Sequence, residues 1–328
     1  MIRYDILAIL LANYNEPIEI EYIKNYFKIS EKEIKEHINT LKKEHYKIKI
    51  DEKTQTITYK LTRSINVQKL IGGNFARRIF FLPAISTTNK MIKIMAEEGA
   101  EHGTIIIADK QLESQTIPGQ EYISPEGGVW ASMILKPEFP PEDLNVFNLG
   151  AKIAITRTLS QELNLETQVK WPNEIYFHNK RIGRLFSEAQ MTGDHIDYMI
   201  ISIGVYTNIN TKEIGSDKKT KNKIKDTFTS FKDELLQPLN EIKAYWAYLP
   251  IAEKIYHEFE DGDYVEFLNE WRNRNMDLCK HIKIDTYTEQ GTIEGEVIGI
   301  TPNALLIIET QEGVYEKIKS PACVVHQR

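Results

Sequence analysis

Apolar positions change their period several times along this chain, and the changes mark out its organisation. In the first 63 residues, "IRYDILAILLAN" repeats at helical spacing, with Ile6, Ile9, Leu10 and Asn13 marking successive turns. "IEIEYIKNYF" (18–27) predicts a second, short helix. "KISEKEIKEHINTLKKE" predicts a third, in which Ser30 and Glu33 make an S-x-x-E capping box and Ile34, Ile38 and Leu41 share one apolar face. "YKIKIDEKTQTITYKL" then alternates around a polar turn, as a β-hairpin does.

Helix, helix, capped helix and hairpin is the order of a winged helix-turn-helix. Its third helix would enter the major groove, presenting Lys32, Lys35, Asn39, Lys42 and Lys43, with the hairpin along the backbone. Glu31, Glu33, Glu36 and Glu44 lie on the same helix and fit a small protein-interaction module as well. Residues 64–78, "SINVQKLIGGNFARR", read as a linker. From 79 to about 210, helical patterns ("NKMIKIMAEEG", "VFNLGAKIAITRTLSQELN") mix with strand patterns ("IIIAD", "VWASMILK", "QVKWPNEIYF", "RIGRLFSEAQM", "YMIISIGVYTN"), which is an α+β arrangement on a mixed sheet. Residues 211–226 contain almost no apolar side chain and read as a surface loop. Helical stretches at 229–240 and 249–270 follow, and the tail alternates apolar residues with Gly and Asn turns, predicting a small all-β barrel. The expected domains are thus 1–63, 64–278 and 279–328.

Composition narrows the class. Net charge is −6, which excludes a surface wholly devoted to nucleic acid. Residues 1–63 hold 12 Lys/Arg against 10 Asp/Glu, so the negative balance comes from the rest and a DNA-facing first segment stays open. Cys279 and Cys323 give neither a disulfide framework nor metal-ligand spacing, and no metal site is expected. No apolar run reaches the ~18 residues of a membrane span. The first residues lack a signal-peptide cleavage pattern, so a soluble cytoplasmic protein is expected.

At "KWPNEIYFHNKRIG" (170–183) the chain resembles the biotin protein ligases, specifically those with an N-terminal winged helix. "STTN" (86–89) is similar to that family's Asp-Ser-Thr-Asn turn, "SPEGGVWASM" to the strand after its ligand loop, "FLNEWRNRN" to its late Trp helix and "EGEVIGITPNALLI" to its C-terminal barrel. The resemblance implies a winged helix-turn-helix, a mixed-sheet ligase body and an SH3-like barrel. It also implies biotin, ATP and Mg²⁺ as reactants, biotinyl-adenylate as the intermediate and a lysine of a carrier protein as the acceptor. Winged-helix members also repress biotin genes as ligand-stabilised dimers. Matched position by position, the ligand-facing residues would be Thr87, Thr88, Asn89, Gln111, Trp130, Lys170, Asn173, Glu174, Arg181 and Arg184.

Several matches depart from the pattern. The Gly-Arg-Gly-Arg-Arg-Gly-Arg loop reads Ser114-Gln115-Thr116-Ile117-Pro118-Gly119-Gln120, neutral and with one glycine. The family lysine that the resemblance implies holds the carboxylate and phosphate in the transition state aligns with Arg181; neighbouring Lys180 would point to the opposite face of a strand and could not replace it without a register shift. Glu174 replaces an Asp, Arg184 stands where the pocket floor has Gly, and in "SIGVYTN" Ser202 replaces a Gly and Tyr206 the nucleotide-contacting Asn. Losing one preorganised donor to developing charge costs about 2.7–4 kcal/mol of barrier, and several are lost together. The expectation is a DNA-binding, homodimeric transcription regulator on a degenerate ligase body, with no certain cofactor and a small-molecule effector other than biotin, or none. The alternative is a divergent ligase or related acyl-adenylate-forming transferase, with Arg181 and Lys170 as its catalytic cations. A third reading is a structural partner of a carrier domain or of an active ligase.

Overall fold

The computed structural model describes residues 2–44, 46–60, 75, 78–113, 123–211, 228–239, 241–262, 264–286, 291–320 and 323–327. The expected linker at 64–74 and loops at 114–120 and 212–226 lie outside them. The chain divides into two compact units, Met1–Ile123 with Ala131–Ile134, and Ser124–Trp130 with Leu135–Arg328.

The first unit begins with helix α1 (Ile2–Ala12), strand β1 (Ile18–Glu19), helices α2 (Ile20–Phe27) and α3 (Glu31–Lys43), and strands β2 (Ile48–Asp51) and β3 (Thr56–Tyr59). The capping box at α3 forms as its residue types require: the Ser30 hydroxyl accepts from the Glu33 amide at 3.3 Å, and the Ser30 amide donates to the Glu33 carboxylate at 2.8 Å. Ile34, Ile38 and Leu41 are fully buried, so the apolar face of α3 is the predicted one. The hairpin pairs Ile48 with Tyr59 and Asp51 with Thr56. The pattern reads 18–27 as one helix, but Ile18 and Glu19 extend to pair with Ile57 and Thr56, adding a third strand. A two-residue strand is too short to show a period, which is why the sequence hides it.

The same unit contains β4 (Arg78–Leu82), α4 (Thr88–Glu97) and β5 (Thr104–Ala108). β4 and β5 pair in parallel, Arg78 opposite Thr104, with α4 as their crossover. Residues 131–134 of strand β6 (Val129–Leu135) also belong here, and the Gly103 amide donates to the Ile134 carbonyl at 2.8 Å. Helix α1 is buried on every side from Tyr4 to Leu11, whereas its spacing suggests one apolar stripe. The reason is that it packs on both α3 and α4, and a helix covered on two faces is apolar all round.

The second unit carries α5 (Leu144–Leu163) and an antiparallel ladder, β10-β9-β8-β7, built from β7 (Gln168–Lys170), β8 (Glu174–Phe177), β9 (Lys180–Thr192) and β10 (His195–Val205). α5 lies on this ladder, with the Asn148 amide donating to the Ser187 hydroxyl at 2.7 Å. Helices α6 (Phe231–Leu235), α7 (Glu241–Glu260) and α8 (Val265–Arg274) follow. The helix read from 249 to 270 is therefore two, broken at Asp261–Gly262, where Gly262 takes φ +77°. Pro250 lies inside α7 without ending it, because Leu249, Ala252, Ile255, Tyr256 and Phe259 anchor that stretch in the core while Pro250 faces solvent.

β11 (His281–Asp285), β12 (Thr292–Ile300), β13 (Leu306–Glu309) and β14 (Tyr315–Ile318) form one antiparallel sheet. The last strand, β15 (Cys323–Gln327), does not join it, contrary to the single tail barrel read from the pattern. It runs parallel to β9, from Cys323 opposite Ser187 to Gln327 opposite Met191. β8 pairs only with residues 180–184 of the long β9, leaving an edge that β15 covers. No helix among the described residues is long and apolar enough to cross a membrane.

Replacing Ser30 with Ala removes the α3 cap, and the urea midpoint should fall by the equivalent of about 1 kcal/mol, with Ser30→Asn retaining most of the stability.

Candidate functional site

The predicted ligand residues fall into two clusters, one in each unit. In the first, the turn before α4 is stitched to the strand end after β5. Thr87 caps α4, its hydroxyl accepting from the Lys90 amide at 3.0 Å. Thr88 donates from its amide (2.7 Å) and its hydroxyl (3.1 Å) to the Gln111 side-chain oxygen. Ser132, which the sequence reading did not single out, donates to the Thr88 hydroxyl at 2.8 Å. Ser86, Thr87, Thr88 and Asn89 are all buried. A polar turn held away from water beside a helix N-terminus is suited to a small polar ligand group. The same bonds serve as helix capping and turn closure, so Thr87, Thr88 and Gln111 have a structural role in their own right.

In the second unit the hairpin β8–β9 sets the geometry. Glu174 lies directly opposite Arg184, Ile175 opposite Gly183, and Tyr176 opposite Arg181, so Ile182 is an extra residue in β9. Without that bulge, Arg181 and Arg184, three apart on a strand, would project to opposite faces. With it, both guanidinium groups reach one carboxylate oxygen: Arg181 Nη1 donates to Glu174 Oε1 at 2.9 Å and Arg184 Nη2 to the same oxygen at 2.8 Å. The Tyr176 hydroxyl donates to the other oxygen at 3.1 Å. Arg184 is 2% exposed, so the position expected to carry a glycine floor carries a fully buried guanidinium. Lys180 projects outward to Glu234 at 2.9 Å, in agreement with the opposite-face expectation.

Burial raises the Glu174 pKa, but Arg181 and then Arg184 outweigh it and hold the carboxyl below its ordinary range. Burial, followed by the Glu174 charge, pushes the Tyr176 hydroxyl well above the usual phenol range and keeps it protonated. Lys170 is half-buried, 3.8 Å from the Asp277 carboxylate and 5.6 Å from the Tyr176 ring centroid. Burial raises the pKa of Asp277 against the opposing charge of Lys170. Lys152 reaches from α5 to donate to the Pro172 carbonyl, beside the cis Trp171–Pro172 bond. Asn173 is 1% exposed, and neither side-chain amide atom has a hydrogen-bond partner among the described residues. Tyr176, Asp277 and Lys152 carried no sequence signal. Tyr176 enters by cross-strand register, and the other two from distant elements.

Trp130 is fully buried, its indole donating to the Pro125 carbonyl at 2.8 Å and its ring meeting Tyr206 edge-on at 5.5 Å. Tyr206 in turn stacks on Phe228 at 4.5 Å. The position expected to offer an amide to a nucleotide is thus a ring inside an aromatic stack. Gly128 is required here, because a Cβ would sit 2.1 Å from the Trp130 ring. Among the described residues no group of His, Cys, Asp and Glu could hold a metal ion.

On α3, Lys32, Asn39, Lys42 and Lys43 are exposed. Lys35 is engaged by Glu31 at 2.6 Å and by Glu52 of the hairpin at 2.8 Å. Its charge is therefore already met by carboxylates.

Replacing Glu174 with Gln strands two buried cations, and unfolding stability at neutral pH should drop by about 3–5 kcal/mol in urea titration. Because the folded-state pKa lies below the ordinary 4.5, the Glu174 contribution is present above that value and is lost as pH falls through the lowered one. The gap between wild type and Glu174→Gln should accordingly narrow as the titrations are repeated at progressively more acid pH.

Residues 81–206, which contain all of these ligand-facing positions, match the Biotin/lipoate A/B protein ligase family. The chain is 24% identical over 318 residues to the bifunctional ligase/repressor BirA of Bacillus subtilis, covering 95% of both chains. It is 24% identical over 151 residues to BirA of Escherichia coli, 46% of each chain. The biotin protein ligase from Aquifex aeolicus in complex with biotin and ATP has a similar fold, with a TM-score of 0.62 and 23% identity over 74% of this chain and 96% of that one. The strand and turn motifs, the matched segment and the end-to-end likeness agree: residues 81–206 match the ligase family and the chain is similar to biotin protein ligases along most of its length.

Proposed function

We propose that this chain is a DNA-binding transcription regulator built on a ligase scaffold that no longer makes biotinyl-adenylate. One observation carries the reading: Arg181, the cation aligned with the lysine that would hold the carboxylate and phosphate, is already bonded to Glu174, as is the buried Arg184. A guanidinium held by a buried carboxylate is not free to meet a carboxylate or phosphate developing charge, and separating the pair costs several kcal/mol. The stacked Tyr206 and the neutral sequence from Ser114 to Gln120 support the same conclusion.

In this reading residues 1–63 are a winged helix-turn-helix and 64–278 a ligase-like body that senses a small molecule. Residues 279–328 are an SH3-like barrel. Lys32, Asn39, Lys42 and Lys43 meet the DNA, and Lys35 braces the hairpin rather than the phosphates. With three α3 lysines and one asparagine offered to the groove per copy, tight binding calls for a homodimer on a two-fold site. The ligases named among the relatives join biotin to protein, and the bifunctional ones also repress. This chain keeps the second role.

A divergent ligase is the second reading, and two features favour it: the half-exposed Lys170, and the buried Asn173 amide with no hydrogen-bond partner among the described residues. It would require biotin, ATP, Mg²⁺ and a carrier protein. Purified protein titrated calorimetrically with biotin, with and without ATP and Mg²⁺, should release no heat, and pyrophosphate should not exchange into ATP. Micromolar biotin affinity that tightens with ATP would overturn the regulator reading in favour of the ligase. On DNA from its own upstream region, Lys42→Ala and Lys43→Ala should each weaken binding and each reduce the salt slope by about one, read by fluorescence anisotropy.

A further inference from the structure

Helix α4 joins the two polar features of the first unit. Its N-terminal turn is the buried Thr88–Gln111–Ser132 cluster. Lys90, Glu97 and the C-capping Glu98 meet the helices of the first 27 residues and the turn after α1. Lys90 pairs with the buried Asp5 of α1 at 2.9 Å. Asn13, just past α1, donates to Glu98 at 3.4 Å, and the hydroxyl of Tyr22 on α2 donates to the other oxygen of Glu98. Tyr26, one turn further along α2, donates to Glu97 at 3.1 Å. Apolar packing of α1 against α4 lies beneath these bonds. One ten-residue helix is therefore fixed at its start by the turn and along its length by α1 and α2.

We propose that α4 is a coupling element: a change in the hydrogen bonding of the Thr88–Gln111 turn is carried by α4, through Lys90–Asp5 and through Glu97 and Glu98, to α2 and the helix that follows it. A rigid helix with both ends bonded moves as a unit, and α2 precedes the exposed Lys/Asn face of α3, so its tilt sets the attitude of that face. The purpose of the coupling rests on the regulator reading above; the geometry does not. Occupancy of the turn by a polar group that competes for Thr88 or Gln111 would then reach α3 by direct contact within one chain.

The test is hydrogen–deuterium exchange by mass spectrometry on the full chain, with residues 180–205 as the internal reference. Gln111→Leu should speed exchange in α4 and also across 20–43 by about fivefold or more, the equivalent of one lost hydrogen bond. In a Tyr22→Phe/Tyr26→Phe background the same substitution should still loosen α4 but speed exchange across 20–43 by a clearly smaller factor, the Lys90–Asp5 route being left intact. If Gln111→Leu unfolds the reference segment too, Ser132→Ala, which removes one donor to Thr88, takes its place. Loosening confined to α4 in the wild-type background, an equal effect in both backgrounds, or no loosening of α4 by either substitution overturns the proposal. Anisotropy with the upstream DNA separates the two ideas. Coupled exchange without DNA binding defeats the regulator reading alone, and DNA binding without coupled exchange defeats the lever alone.

Discussion

One buried carboxylate organises the chemistry of the second unit. Glu174 accepts from Arg181, Arg184 and Tyr176, and the bulge at Ile182 puts both guanidinium groups on its face. Burying two arginines without it would cost far more than folding can spare, since an isolated interior charge is stabilised by nothing but its partners. Glu174 lies directly opposite Arg184, and its carboxylate reaches across the hairpin to that buried guanidinium. The interaction that stabilises this core also fixes the guanidinium of Arg181 against Glu174.

The first unit is organised differently, around an apolar helix rather than a charge. Because α1 is covered by both α3 and α4, the opening helices and the turn at Thr88 share a core. The polar seam of Lys90, Glu97 and Glu98 with Asp5, Asn13, Tyr22 and Tyr26 lies over that core. Individually such half-exposed bonds contribute little. Their value is geometric, since several fixed points along one helix leave it few independent motions.

Much of the framework was legible in the chain. Ser30 and Glu33 announced the start of α3, and alternation announced the hairpin after it. The neighbours Lys180 and Arg181 were assigned opposite faces by period alone, and Lys180 does point away. Local rules succeed at these places because each feature is decided by residues within one turn or one strand. The two-residue strand β1 and the departure of β15 from the tail sheet escaped, since each is decided by a partner distant in sequence; the break at Gly262 is a local turn inside an otherwise continuous apolar pattern.

What the sequence by itself determined is the identity of most elements and the positions that depart from the family pattern, among them Arg181, Glu174, Arg184 and Tyr206. What only the tertiary structure decided is what those differences amount to. Whether an arginine at 184 opens a pocket to charge or closes it depends on which carboxylate lies opposite, and that is fixed by cross-strand register and one extra residue in β9. Whether Tyr206 offers a ring to a nucleotide or to the core depends on Trp130 and Phe228. Periodicity reports which face a residue takes. It does not report what lies on the other side of that face, because that contact is made by chain many residues away.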